Sequence, residues 1–228
     1  MKRVIYIFLI ICLVVLSTAC FNKTSKDGLK FKKEYEEYND KKSSSGKTYP
    51  KLNISKNNPI KYKSSEELAD IIKNKTGVIY FGFPTCPWCR SALPALLEAS
   101  EDAGINTIYY LNIKEERDTK KIDSNGKIID VKKGSSGYNK LLEVLNDYLD
   151  DYTLKDDNGN EVKVGEKRIY VPLVVFVKEG KVLGIHSDTV ASQKDPYQGL
   201  NDKQKEELKL IYYKQMIKMG DDMCDESC

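Results

Sequence analysis

Histidine and tryptophan are almost absent from this chain of 228 residues, which contains only His186 and Trp88. A lone histidine beside the end of a strand supports a structural or solvated ring better than a proton carrier. Arginine is scarce too. Of the 37 basic residues only Arg3, Arg90, Arg117 and Arg168 are arginine, and with the many Ile, Asn and Tyr residues this reads as base-composition bias. No charge of one sign predominates. The formal net charge is +3 and falls to +1 without Lys2 and Arg3, which excludes the basic footprint of a nucleic-acid binder. The N-terminal apolar run, Val4 to Leu16, is too short for a membrane-crossing helix, which needs about twenty residues. Internal repeats are missing. The length suits one sizeable core plus a tail and does not require two domains.

The six cysteines are grouped. Cys12 and Cys20 lie at the N-terminal end, Cys86 and Cys89 are spaced CxxC, and Cys224 and Cys228 close the chain as CxxxC. That grouping suggests three separate roles, not a disulfide framework stapling a small fold. Met1-Lys2-Arg3 followed by the apolar run has the form of a secretory signal. It ends Leu16-Ser17-Thr18-Ala19-Cys20, which resembles the lipobox of bacterial lipoproteins, although Leu is more usual where Ser17 stands. The expectation is a signal peptide over 1–19, lipid attachment at Cys20 and a place on the extracytoplasmic face of the cell membrane, where disulfide chemistry is permitted. An ordinary secretory signal with an incidental cysteine is the plainer alternative. Residues 20–60 are polar and rich in Lys, Ser and Asn, and are expected to be a tether, with a short helix near Phe31 to Tyr38 and a flexible linker at Lys41 to Lys47.

Ser64 and Glu67 form the capping-box pattern of a helix that buries Leu68, Ile71 and Ile72 and stops near Lys75-Thr76-Gly77. Val78 to Phe83 is nearly all apolar, as expected of a central strand covered on both faces. Cys86-Pro87-Trp88-Cys89 follows, then a helix from Arg90 to Ala103 and a strand from Ile105 to Ile113. Asn125-Gly126 and Asn158-Gly159 signal two hairpins, with helical spacing between them over Tyr138 to Tyr148. Ile169 to Val177 reads as a strand, Glu179-Gly180 as a turn, Lys181 to Ile185 as its partner, and Asp202 to Met219 as an amphipathic helix.

Over roughly residues 60–220 this order resembles the thioredoxin superfamily. The resemblance rests on CPWC closing a central strand, on Pro94 eight residues after Cys86, on Leu111-Asn112-Ile113, and on Val171-Pro172 running into LVVFVKEGKV. More narrowly, the chain is similar to Gram-positive lipoprotein thioredoxins of the bacteriocin-transport-accessory-like type. The resemblance implies an α/β thioredoxin-like fold, a central mixed sheet flanked by helices, over 61–220. Measured against that family, residues 115–168 are a helix-plus-hairpin insertion before a cis-proline strand; after the last helix, residues 221–228 form a polar tail that contains Cys224 and Cys228. Two departures stand out: Tyr80 occupies the place of a buried acid, and Tyr110 replaces a lysine.

A thiol reacts as its thiolate, and a helix N-terminus stabilises one through unpaired N–H groups and the positive dipole end. Cys86 at that end is expected to be the exposed nucleophile and Cys89, one turn on, the covered resolving thiol. Pro87 and Trp88 support the pair. Pro94 is read as structural. Pro172 is expected to be cis, leaving backbone groups of Val171 to pair with an extended substrate segment. Cys224 and Cys228 could pair as a second redox couple or as an incidental disulfide; a zinc site shared with Cys86 and Cys89 is the competing structural reading. No metal or cofactor is called for. The expected activity is thiol–disulfide oxidoreduction on exported proteins or peptides, with a membrane electron donor or acceptor as possible partner. The alternative from another class is a peptide-binding accessory factor for a bacteriocin-type exporter.

Overall fold

The computed structural model describes residues 25–220. The signal segment 1–19, Cys20 and the tail with Cys224 and Cys228 lie outside the described residues. The first described element is helix α1, Lys26–Glu36, capped by Ser25, whose hydroxyl accepts from Gly28 N at 2.8 Å. Phe31 and Tyr35, one helical turn apart, are both fully buried. Strand β1 is Ile60–Tyr62, helix α2 Ser65–Asn74 and strand β2 Gly77–Gly82. The capping box forms as the sequence indicates: Ser64 Oγ accepts from Glu67 N at 3.2 Å, and Glu67 Oε2 accepts from Ser64 N at 2.9 Å. Helix α3, Pro87–Asp102, contains Pro94 and leads to strand β3, Ile108–Asn112. Ile105 falls outside that strand because its N–H closes the helix end onto the Ser100 carbonyl.

The 115–168 segment holds strands β4 (Thr119–Ile122) and β5 (Ile128–Lys132), helix α4 (Ser136–Leu145) and strands β6 (Asp151–Lys155) and β7 (Glu161–Lys167). Its two hairpins use one turn design. Asp123 and Asp156 each accept two backbone N–H groups ahead of them, and Gly126 and Gly159 sit at φ +78° and +83°. The chain then runs through strands β8 (Leu173–Lys178) and β9 (Lys181–Ser187) to helix α5, Asp202–Lys218. Strand β8 starts only at Leu173, not Ile169, since Pro172 has no N–H to give a ladder.

The fold is α/β, with a mixed five-stranded sheet ordered β1-β3-β2-β8-β9. β2 is parallel to β3 and antiparallel to β8, so it lies at the centre, as its apolar run indicates. Alternation along the strands divides two cores. Val78, Tyr80, Tyr110, Val174 and Phe176 face α1, α3 and α5. Ile79, Phe81, Leu111, Val175 and Val177 face α2 and α4. Among the described residues no helix is long and apolar enough to cross a membrane.

One expectation requires correction. The described part of the 20–60 tether is folded onto the domain: Phe31, Tyr35, Leu52 and Ile54 all enter the first core. Arg90, fully buried at the start of α3, is held there by four oxygens: Tyr35 O at 2.5 Å, Asn39 Oδ1 at 2.7 Å, Pro50 O at 2.9 Å and Pro84 O at 3.4 Å. A buried guanidinium keeps its charge only with such a set of acceptors, and three of the four come from residues 35–50. The polar composition concealed this because the few apolar residues are spaced to one side of a helix and one extended stretch. Phe31→Ala should therefore lower the unfolding free energy by about 3–5 kcal/mol in urea titration; a loss below about 0.5 kcal/mol would restore the tether.

Candidate active site

Strand β2 delivers the chain to the start of α3. Cys86 is the N-cap of that helix and Pro87 its first residue, where the missing proline N–H costs nothing. Cys86 N donates to Phe83 O at 3.1 Å, and Arg90 N donates to Cys86 O at 3.1 Å. The Cys86 sulfur stands where a serine or aspartate oxygen would cap a helix, and it accepts from Cys89 N at 3.2 Å. Both cysteines are free thiols. Cys89 is fully buried, as expected. Cys86, expected to be exposed, is only 6% exposed. Part of that cover is Val171, whose carbonyl accepts from Cys86 Sγ at 3.7 Å. The Val171–Pro172 peptide bond is cis.

The two thiols are driven apart in acidity. Hydrogen bonding from Cys89 holds the Cys86 thiol below its ordinary pKa against the upward push of burial, helped by the Cys89 N–H and the positive charge of Arg117. Burial pushes Cys89 well up, and a charged Cys86 beside it pushes further. The first proton to leave the pair is that of Cys86.

Arg117 was not singled out from sequence. It begins the 115–168 segment, its N–H donates to Ile113 O at 3.0 Å, and its guanidinium lies 5.1 Å from the Phe83 ring centroid, three residues before Cys86. Lys114 Nζ lies 5.9 Å from the same ring. Arg168, at the far end of the segment, pairs with Asp118 at 3.0 Å and covers Tyr152 at 4.0 Å. Every arginine among the described residues thus serves this corner, directly or through its supports. The scarcity of arginine in a lysine-rich chain was the sequence signal that could have found them, because planar stacking and multiple carbonyl contacts suit guanidinium better than ammonium.

Behind Cys89, three buried tyrosines meet. Tyr35 Oη lies 3.3 Å from Tyr80 Oη and 3.4 Å from Tyr110 Oη. Tyr80 donates to Cys89 O at 3.4 Å and Tyr110 to Gly82 O at 3.3 Å. Residue 82 has no room for a side chain: a Cβ there would sit 2.6 Å from the Tyr80 hydroxyl. Trp88 packs half-buried against the same core and Pro94 lies within α3. His186 lies inside β9 rather than beyond the last strand. Its Nε2–H donates to Thr189 O at 3.0 Å and its ring meets Tyr212 edge-on, a structural setting in which burial lowers its pKa.

Compared with protein-family models, curated proteins and solved structures, the chain matches none. Among the described residues no three His, Cys, Asp or Glu side chains come together as a metal site. An open groove of about 1300 Å³, between residues 51–61 and the Pro94–Glu101 side of α3, includes none of Cys86, Cys89, Trp88 or Pro172. The cysteine site is a corner at the end of the sheet, where Cys86 caps α3 and Cys89 lies buried one turn behind it.

Removing the Arg117 charge withdraws support from the Cys86 thiolate, so its pKa rises and less thiolate is present at neutral pH. Arg117→Met should slow iodoacetamide alkylation of Cys86 about threefold or more at pH 7 and move the pH profile upward. Arg117→Lys should retain most of the wild-type rate. An unchanged profile in the Met variant would remove Arg117 from the site.

Proposed function

We propose that this chain is a thiol–disulfide oxidoreductase of thioredoxin-like fold, exported and held by a lipid on Cys20 at the outer face of the cell membrane, acting on proteins or peptides there. The observation that carries the reading is the Cys86 sulfur capping α3 with the buried Cys89 thiol one turn behind it. The strand order, with β8 and β9 as an antiparallel pair beside the central strand, is compatible with that fold.

In the reducing direction the Cys86 thiolate attacks one sulfur of a substrate disulfide. The new S–S bond joins Cys86 to the substrate and the other substrate sulfur leaves as a thiolate. Cys89 then attacks Cys86 Sγ, forming the Cys86–Cys89 disulfide and expelling the second substrate sulfur, while the Cys89 proton goes to a departing thiolate. Two electrons pass from the dithiol to the substrate, and the oxidising direction is the reverse. Arg117 and the α3 N–H groups hold negative charge at Cys86 before attack. The Val171 carbonyl lies beside the Cys86 sulfur, which supports pairing of an extended substrate segment with that backbone edge.

The decisive measurement is the Cys86–Cys89 reduction potential in glutathione buffers, followed by fluorescence of Trp88, the only tryptophan. A potential near about −120 mV marks a disulfide-forming enzyme, and one near about −270 mV a reductase fed by a membrane electron donor. A pair with no reversible titration, and a Cys86→Ser variant with full biological activity, would replace this reading with that of a peptide-binding accessory factor using the Val171–Pro172 edge.

A further inference from the structure

Cys89 presents a problem that the α3 N-terminus does not solve. Its thiol is fully buried, burial drives its pKa well up, and it must nevertheless become a nucleophile for the second step. The polar side-chain groups gathered behind it are the hydroxyls of Tyr80, Tyr35 and Tyr110. All three tyrosines are fully buried, and burial pushes each phenol up, so none gives up its proton near neutral pH. They are donors, not bases.

Counting protons shows how the cluster can act. Three hydroxyls carry three hydrogens. Tyr80 spends its hydrogen on Cys89 O and Tyr110 on Gly82 O, so Tyr35 donates to the oxygen of one of the other two. At 3.3–3.4 Å these contacts are loose against the usual O–H···O distance of about 2.7–2.8 Å, so the Tyr80 hydrogen can change acceptor at little cost. The Tyr80 hydroxyl, 3.4 Å from Cys89 O, stands near enough to the same residue's thiol that turning its hydrogen there would counter the upward drive of burial. When the acceptor of the Tyr35 hydrogen is Tyr80, at 3.3 Å, the bond polarises Tyr80 and strengthens the bond Tyr80 makes in turn. Two features keep this space for hydroxyls: Gly82, where any Cβ would collide with Tyr80 Oη, and α1, which delivers Tyr35 from outside the sheet.

We infer that Tyr80, backed by Tyr35, is a positioning residue for the resolving step: its O–H swings from the Cys89 carbonyl to the Cys89 sulfur and stabilises the thiolate that attacks Cys86. The proton lost from Cys89 goes to the departing substrate thiolate, and the tyrosines finish the step protonated as they began. The inference rests on the oxidoreductase reading above.

The test is stopped-flow reaction of the reduced protein, starting after Cys20 and with residues 221–228 present, with dithiobis(nitrobenzoate), with Cys224→Ser and Cys228→Ser introduced throughout. Release of the first thionitrobenzoate reports attack by Cys86 and release of the second reports resolution by Cys89. Tyr80→Phe should leave the first phase within about twofold and slow the second about tenfold or more at pH 7, as expected for loss of a hydrogen bond to a charged group. The pH midpoint of the second phase should move upward, since removing a donor disfavours the thiolate. Tyr35→Phe should show the same pattern at smaller amplitude, and serves as the test if Tyr80→Phe does not fold. A second phase with unchanged rate and midpoint in folded Tyr80→Phe overturns the inference and leaves the oxidoreductase reading intact. Absence of any first phase in the wild-type protein overturns that reading itself.

Discussion

The central strand β2 is covered by helices on both faces, and any polar atom it carries must be satisfied inside the protein. Tyr80 is where that constraint acts. Its ring stacks on Tyr110 of the neighbouring strand at 5.5 Å, and its hydroxyl finds Cys89 O and Tyr35 Oη. Tyr35 belongs to α1, so the N-terminal helix is part of the solution to burying the strand that carries CPWC. Arg90 repeats the pattern one residue past Cys89: a buried charge accepted because carbonyls of residues 35 and 50 are brought to it. Residues 25–60 complete both the core and the support of the cysteine pair.

On the opposite side of the corner, the 115–168 segment does comparable work with charge. Its ends are anchored by Ile113 and Ile169 in the second core, and the Arg168–Asp118 pair joins its beginning to its end. Its two hairpins are tied by Lys120, whose N–H donates to Tyr152 Oη at 3.2 Å and whose ammonium bridges Asp130 and Glu166. The result is a framed loop that holds Arg117 over Phe83. Arg168 and Lys120 are themselves largely covered, and the value of these pairs is geometric, fixing where one guanidinium rests.

The site is built from opposed influences on two like atoms. Cys86 and Cys89 are a helical turn apart, yet one faces N–H groups and a cation while the other faces apolar walls and three phenols. Ionisation of the first makes ionisation of the second harder, so the two thiols differ in acidity although they are one helical turn apart. The polar groups behind Cys89 are phenols that burial keeps protonated.

Much of the framework was legible locally. The Ser64–Glu67 capping box, the apolar run of β2, the Asn-Gly turns and the cysteine at a strand-to-helix corner each depend on residues a few positions apart, and each forms with its bounds shifted by a few residues. Strand β8 began later than its apolar run suggested because proline lacks a donor, and β3 began later because Ile105 was needed by the end of α3. The misjudged part was residues 25–60, where charged composition hid a buried Phe31–Tyr35 face. Beyond residue 62 the sequence by itself determined most of the strands and helices and that a thiol pair opens a helix, since those outcomes follow from propensity, capping and periodicity within one element. Only the tertiary structure decided that Tyr35 would meet Tyr80, 45 positions away, and Tyr110, 75 away, or that Arg117 would lie over Phe83. Such meetings depend on how layers pack, and no local pattern encodes a partner that the chain reaches only after the core has closed.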